Sequence, residues 1–240
     1  MEKNKYKVRV IAFYLPQFHP TPENDKWWGK GFTEWTNVGK AKPLFKGHYQ
    51  PKVPADLGYY DLRVPETRRE QAELARQYGI EGFCYWHYWF GNGRQLLQRP
   101  FQEVLASGEP DFPFCLAWAN HSWEDKQFNK EGGNKMLMEQ LYPGDEDYIA
   151  HFNAVLPAFK DPRYIRVNGE PLFMIYAPMK VPDIAHFIEL WQNWPSLMVS
   201  AFILWGIPVK QRNCLYSANG GLTPPIWYVC LMCSKRTIAS

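Results

Sequence analysis

No aspartate or glutamate follows Glu189, while Lys210, Arg212, Lys235 and Arg236 all do. The formal net charge of +3 therefore resides entirely in the tail, and the body before it is close to neutral. Such a balance gives no electrostatic reason to expect nucleic acid or an anionic membrane surface as a partner. Cysteine is scarce: five in 240 residues, an odd number and no disulfide framework. Cys230-x-x-Cys233 has the spacing of half a metal or redox site, but no second such pair completes it, so no metal and no cofactor is expected. Cys84 and Cys115 lie in apolar runs, as small core residues do. Long apolar runs are missing too. The longest, Leu197 to Val209, is broken by Ser200, Gly206 and Pro208 and falls short of the ~20 residues of a membrane-spanning helix. The start, MEKNKYKVRVIAFYL, has no small-residue cleavage site, which makes a cytoplasmic location the expectation.

Several catalytic signatures are also absent. Pro16-Gln17-Phe18-His19-Pro20 stands where a nucleotide-binding sheet would carry a glycine-rich loop after its first strand. Ser122 lacks the glycine frame of a nucleophile elbow, and no His-Glu-x-x-His occurs. Aromatic residues, by contrast, are abundant at 17%, with 11 Trp, 14 Tyr and 15 Phe. Many stand beside His, Asn and Glu, and flat amphipathic surfaces of that kind suit the faces of sugar rings.

The periodicity predicts strands at Val8–Leu15, Ile80–Tyr85 and Phe112–Trp118, with helices at Pro65–Tyr78, Arg94–Ala106 and Asp145–Phe159. Tyr164–Val167, Asn168-Gly169 and Leu172–Tyr176 predict a hairpin or a connector containing one, and Pro182-Asp183 opens a helix to about Trp191. Residues 16–63 look like a long irregular loop, a feature usually tied to function. Strand and helix alternate at least four times, the order of parallel strands joined by crossover helices. The fold class expected is α/β, a TIM-like (β/α) barrel. It would be incomplete at the C-terminus, since a complete barrel takes about 250 residues and four or five units are visible here.

Three clusters follow the predicted strands. The first holds Tyr14, Gln17, His19, Trp27-Trp28, Glu34, Trp35 and Asn37. Glu34 is bracketed by Phe32 and Trp35, an apolar setting that suits a carboxyl to acid catalysis, although a salt bridge that orders the loop fits equally. The second is Tyr85-Trp86-His87-Tyr88-Trp89-Phe90, in which alternation places Tyr85, His87 and Trp89 on one side. The third is Trp118-Ala119-Asn120-His121-Ser122-Trp123-Glu124-Asp125. Glycoside chemistry commonly uses two carboxyl groups roughly 5 to 9 Å apart. Glu34 with Glu124, or with His121, are therefore the candidate catalytic groups. Tyr14, His19, Trp35, Asn37, Trp86, His87, Trp89, Trp118, Asn120 and Trp123 are the candidate glycan-binding residues.

Together AFYLPQFHP (12–20), GFTEWTNV (31–38), PADLGYY (54–60), YGIEGFCYWHYWF (78–90), PFCLAWANHSW (113–123) and YIRVNGEPLFMIY (164–176) resemble the WbsX family of polysaccharide-biosynthesis glycosyltransferases. That family is grouped with glycoside hydrolase family 99-like and 71-like barrels. The resemblance covers roughly residues 7–191 and makes them one barrel domain, with 192–240 an atypical tail read as a truncated or frame-shifted end. It implies a carbohydrate-active enzyme of surface-polysaccharide biosynthesis of the O-antigen or capsule type, either a transferase or a hydrolase of glycosidic bonds. The implied partners are an oligosaccharide, a polysaccharide or a lipid-linked glycan, with a nucleotide sugar and polysaccharide assembly enzymes as further possibilities. Many relatives read Trp-Ala-Asn-Glu-Asn-Trp where this chain has His121 and Ser122, so Glu124 would have to compensate. A non-catalytic sugar-binding protein, or an inactive fragment of such an enzyme, is the alternative.

Overall fold

The first strand is short because its sequence allows no more. Residues 9–14 are β-branched or aromatic apart from Arg9 and Ala12, and Pro16 lacks the N–H needed to extend a ladder. The computed structural model describes residues 9–125, 135–193 and 228–231. In it β1 (Arg9–Tyr14) pairs in parallel with β2 (Gly82–Trp89), Phe13 opposite Cys84 and Tyr14 opposite Tyr85. Strand β2 pairs in parallel with β4 (Phe114–Trp118), and β4 with β9 (Phe173–Ile175). On the other edge of β1 lies β10 (Tyr228–Leu231), also parallel. Apart from that pairing, the expectations for the tail, including the truncated or shifted end and Cys233, lie outside the described residues.

Each crossover carries a helix: α3 (Pro65–Gln77) between β1 and β2, α4 (Arg99–Ser107) between β2 and β4, and α5 (Asp145–Lys160) between β4 and β9. A further helix, α6 (Ile184–Gln192), follows β9. The order β1-β2-β4-β9 never reverses. Since such crossovers are right-handed, the helices all fall on one face of the sheet. A doubly wound sheet would reverse and cover both faces. The architecture is thus a partial TIM-like barrel, helices outside and an inner face at the strands' other side.

The helices end where the chain chemistry stops them. Pro65 and Pro100 occupy first-turn positions, where the missing N–H costs nothing. Helix α4 begins at Arg99 rather than at Arg94 because Asn92, Gly93 and Leu97 adopt positive φ, and Gln95–Leu96 (β3) instead pairs back antiparallel onto Trp89 and Tyr88. Tyr78 caps α3 in solvent, while Ala72, Ala75 and Arg68 face inward. The Asn168-Gly169 turn forms as expected, both residues at positive φ, between β7 (Arg166–Val167) and β8 (Glu170–Pro171).

Two departures matter for function. Residues 16–63 are not wholly irregular: α1 (Pro22–Trp28) is capped by Thr21, and α2 (Glu34–Lys40) by a Thr33–Thr36 capping box. Strand β2 also runs on to Trp89, so the second aromatic cluster lies within the sheet. After β4 the chain forms a second small hairpin, β5 (Trp123–Asp125) with β6 (Lys135–Met138).

Candidate active site

Register sorts the aromatic residues into two sets. Tyr14, Tyr85, Leu116 and Phe173 lie side by side across four strands, as do His87, Trp118 and Ile175. This set faces the helices. The phenol of Tyr14 donates to Gln71 Oε1 on α3 at 2.5 Å, and the Tyr85 ring packs on Phe101 of α4. His87 Nε2 lies 2.9 Å from His151 Nε2 on α5, and the Trp89 indole N–H donates to Asp147 Oδ2 at 3.0 Å. The Trp118 indole N–H donates to the Trp89 carbonyl, and its ring stacks on Phe187 of α6. Burial pushes the His87 imidazole down to about 4 and His151 well below its ordinary range, the neighbouring imidazole adding to the second shift. Four residues expected at the glycan, Tyr14, His87, Trp89 and Trp118, are therefore turned to the helices, where their polar atoms are already engaged.

Asn120 and His19 are buried as well. The Asn120 amide donates to the Ala177 carbonyl at 2.8 Å and accepts from its N–H at 2.7 Å, which ties the end of β4 to the loop after β9. For His19, burial holds the imidazole below its ordinary range.

The opposite set looks into the barrel. Phe13 and Trp86 stack with centroids 4.6 Å apart and planes 4° from parallel. Trp86 meets Tyr176 edge-on at 5.7 Å, and Tyr176 meets His121 at 5.2 Å. These rings sit toward the C-terminal ends of the strands, where (β/α) barrels place their chemistry. A cavity of about 600 Å³ opens beside Phe13 and Trp86 along the edge of β1; its lining includes Glu34 and Tyr60 and, from the helix side, Tyr14 with Gln71, Leu74 and Ala75 of α3. Phe13 and Tyr176 were not singled out in the sequence; the parity of Trp86 along β2 was the signal that leads to them.

Glu34 is placed by the capping box at the first residue of α2. Trp35 beside it is pinned by its indole N–H to the Tyr60 carbonyl at 2.8 Å and packs against Phe18, Tyr59 and Tyr60. Asn37 is exposed on the same helix. Glu124 lies on β5, opposite Met136. Its neighbour Trp123 packs on Tyr88 at 5.2 Å, on Phe90 at 5.8 Å and on Trp27 of α1 at 6.0 Å. Burial, and after it the Glu34 carboxylate, hold the Tyr88 phenol above its ordinary range. Trp123, next to Glu124, thus packs on the phenol whose titration the Glu34 carboxylate influences. Among the described residues no three or more His, Cys, Asp or Glu gather as a metal ion would require, and no helix is long and apolar enough to cross a membrane.

Known proteins resemble this chain over most of its length. Two curated relatives, named "Uncharacterized protein WxcX" from Xanthomonas campestris pv. campestris strains B100 and ATCC 33913, are each 46% identical over 187 residues. The match takes in 77% of this chain and 26% of each relative, so the chain spans about a quarter of their length. Two solved structures of a GH99 endo-α-mannosidase from Bacteroides thetaiotaomicron align at 16% identity with TM-scores of 0.37 and 0.39. They cover 70% of this chain and 42% and 45% of theirs, and a likeness at that level extends to no residue and no substrate. The family model described as "Glycosyltransferase WbsX" matches residues 10–205, and the chain belongs to that family.

Proposed function

We propose that this chain is the carbohydrate-active part of an enzyme of surface-polysaccharide biosynthesis, acting on glycosidic bonds through carboxyl acid/base chemistry. The observation that carries the reading is one cavity lined by both Glu34 and the stacked Phe13–Trp86 pair. Aromatic rings bind the apolar faces of sugars, and a carboxyl beside them can exchange a proton with a glycosidic oxygen. Glu34 is the acid/base candidate, and Glu124 or His121 supplies the second group. Trp86, which lines the cavity, is the ring assigned to the glycan in this reading, with Trp35 and Trp123 as further candidates. Family membership supports the substrate class, an oligosaccharide, polysaccharide or lipid-linked glycan, with a nucleotide sugar as donor if the reaction is a transfer. Cytoplasmic residence is part of the same reading.

The test is turnover of candidate nucleotide sugars and of α-linked mannan by the purified protein and by Glu34→Gln. The expected result is product from the parent chain, with at least a hundredfold loss in the variant at unchanged melting temperature. Equal turnover in Glu34→Gln would remove Glu34 from the mechanism. His121, standing where many relatives carry glutamate, favours one second reading, a protein that binds glycan without turnover. That reading predicts saturable glycan binding, unaltered in Glu34→Gln, and no product from any donor.

A further inference from the structure

Between Glu34 and Asp56 the chain has no acidic residue, and Lys40, Lys42, Lys46 and Lys52 are all exposed. Apolar side chains of the same stretch are exposed as well: Leu44 by 80%, Phe45 by 64%, Tyr49 by 61% and Val53 by 62%. One exposed apolar residue needs no explanation, but several within a short loop form a patch that usually has a partner.

The backbone fixes this display. The His48 N–H donates to the Phe45 carbonyl at 3.1 Å, the Leu44 N–H donates to His48 Nδ1 at 3.2 Å, and Gly47 supplies the positive φ of the turn. The His48 ring stacks on Phe45 at 4.6 Å, backing the phenyl ring on one side. Lys52 places its ammonium 4.3 Å from the Tyr49 ring. Leu44 and Phe45 thus stand at the tip of a hydrogen-bonded turn with lysines on either side in sequence.

A neutral glycan would use ring faces and would gain little from Leu44, Val53 or the lysines. A bilayer surface uses every one of these groups. Aliphatic and aromatic side chains enter the boundary between headgroups and acyl chains, while lysines meet anionic headgroups. We infer that the 40–53 loop docks the protein peripherally on a membrane rich in anionic lipid, with Leu44 and Phe45 entering the interface. The same chain runs on to Asp56 and Tyr60, which line the cavity, so docking brings the cavity near the bilayer. The inference stands apart from the catalytic proposal.

Co-sedimentation of the full chain with vesicles tests it. Vesicles of phosphatidylglycerol and phosphatidylethanolamine should retain the protein, and pure phosphatidylcholine vesicles should not. Leu44→Ser with Phe45→Ser should weaken binding tenfold or more at an unchanged melting temperature. Lys42→Gln with Lys46→Gln should weaken it by a similar factor and flatten its dependence on salt. Glu34→Gln should bind vesicles as the parent does, which separates docking from turnover. Failure to bind anionic vesicles would overturn the inference. So would binding indifferent to the Leu44/Phe45 change, or equally tight, equally indifferent binding to dextran sulfate, which would mark a surface for dissolved polyanions instead.

Discussion

Alternate side chains of one strand, β2, meet two different environments. On the helix side, Tyr85, His87 and Trp89 are buried, and the polar atoms of His87 and Trp89 are taken by His151 and Asp147 on α5. On the barrel side, Trp86 is only half-buried, stacks on Phe13 and borders a cavity. The amino acids of the two sets are nearly the same. On the barrel side Cys84 and Tyr88 are buried too, so Trp86 is the partly open member of its set. Aromatic residues packed by a helix specify the core, and those left facing a cavity are available to a ligand.

The largest effect that could break this contrast is Trp118→Ala. It should cost about 3–5 kcal/mol, because it empties a well-packed site against Phe187 and removes the donor to the Trp89 carbonyl. Urea denaturation reads it, and a loss below about 1 kcal/mol would mean that the helix-facing set is loosely packed.

Next comes pH. His87 and His151 titrate below their ordinary range in the fold because burial disfavours the cation. The unfolded chain therefore takes up protons first as pH falls below about 6.5, and the fold loses stability from there down to about pH 4. His87 alone should account for roughly 3 kcal/mol over that window. Near the pair, Asp147 accepts from the Trp89 indole N–H and from the Gly93 N–H. His151→Phe should shrink the acid-induced loss measured by thermal melts, and an unchanged pH profile would remove the pair as its source.

Gly82→Ala probes the foot of the barrel-facing set. An added Cβ would stand 2.4 Å from the Pro113 carbonyl oxygen and 2.8 Å from Ile165 Cδ1, so about 1–3 kcal/mol should be lost. No measurable loss would show the foot to be as open as the mouth. The smallest expected effect on stability is that of Trp86→Leu, about 1 kcal/mol, accompanied by a marked fall in glycan affinity measured by calorimetry. If this change costs as much stability as Trp118→Ala and leaves affinity alone, Trp86 is core and the contrast fails.

Strand order and helix order were legible because β-branched and aromatic runs alternate with proline-started, glycine-ended segments such as Pro65 to Gly79. The Asn168-Gly169 turn was legible for the same local reason. The face of each aromatic residue was not. Period two says that Tyr85, His87 and Trp89 share a side, but which side the helices cover depends on the direction of the crossovers, and no stretch of β2 encodes it. The capping residues Thr21-Pro22 and Thr33 to Thr36, which start α1 and α2, go unread in the expectation of an irregular loop over residues 16–63. Each helix is only seven residues long, too short for an apolar stripe to show against that loop's glycines and prolines. Glu34 was singled out by its setting; Phe13 and Tyr176 needed the neighbouring strands in place.

The double hydrogen bond between Asn120 and Ala177 has a mechanical consequence. A side-chain amide there does the work of one more rung of backbone pairing, past the point where the β4–β9 ladder stops. The two strand exits are clasped together, so His121, one residue after the clasp, and Tyr176, one residue before it, keep their spacing as the chain breathes. The separation of those two rings is then set by a fully buried amide that lies outside the cavity lining.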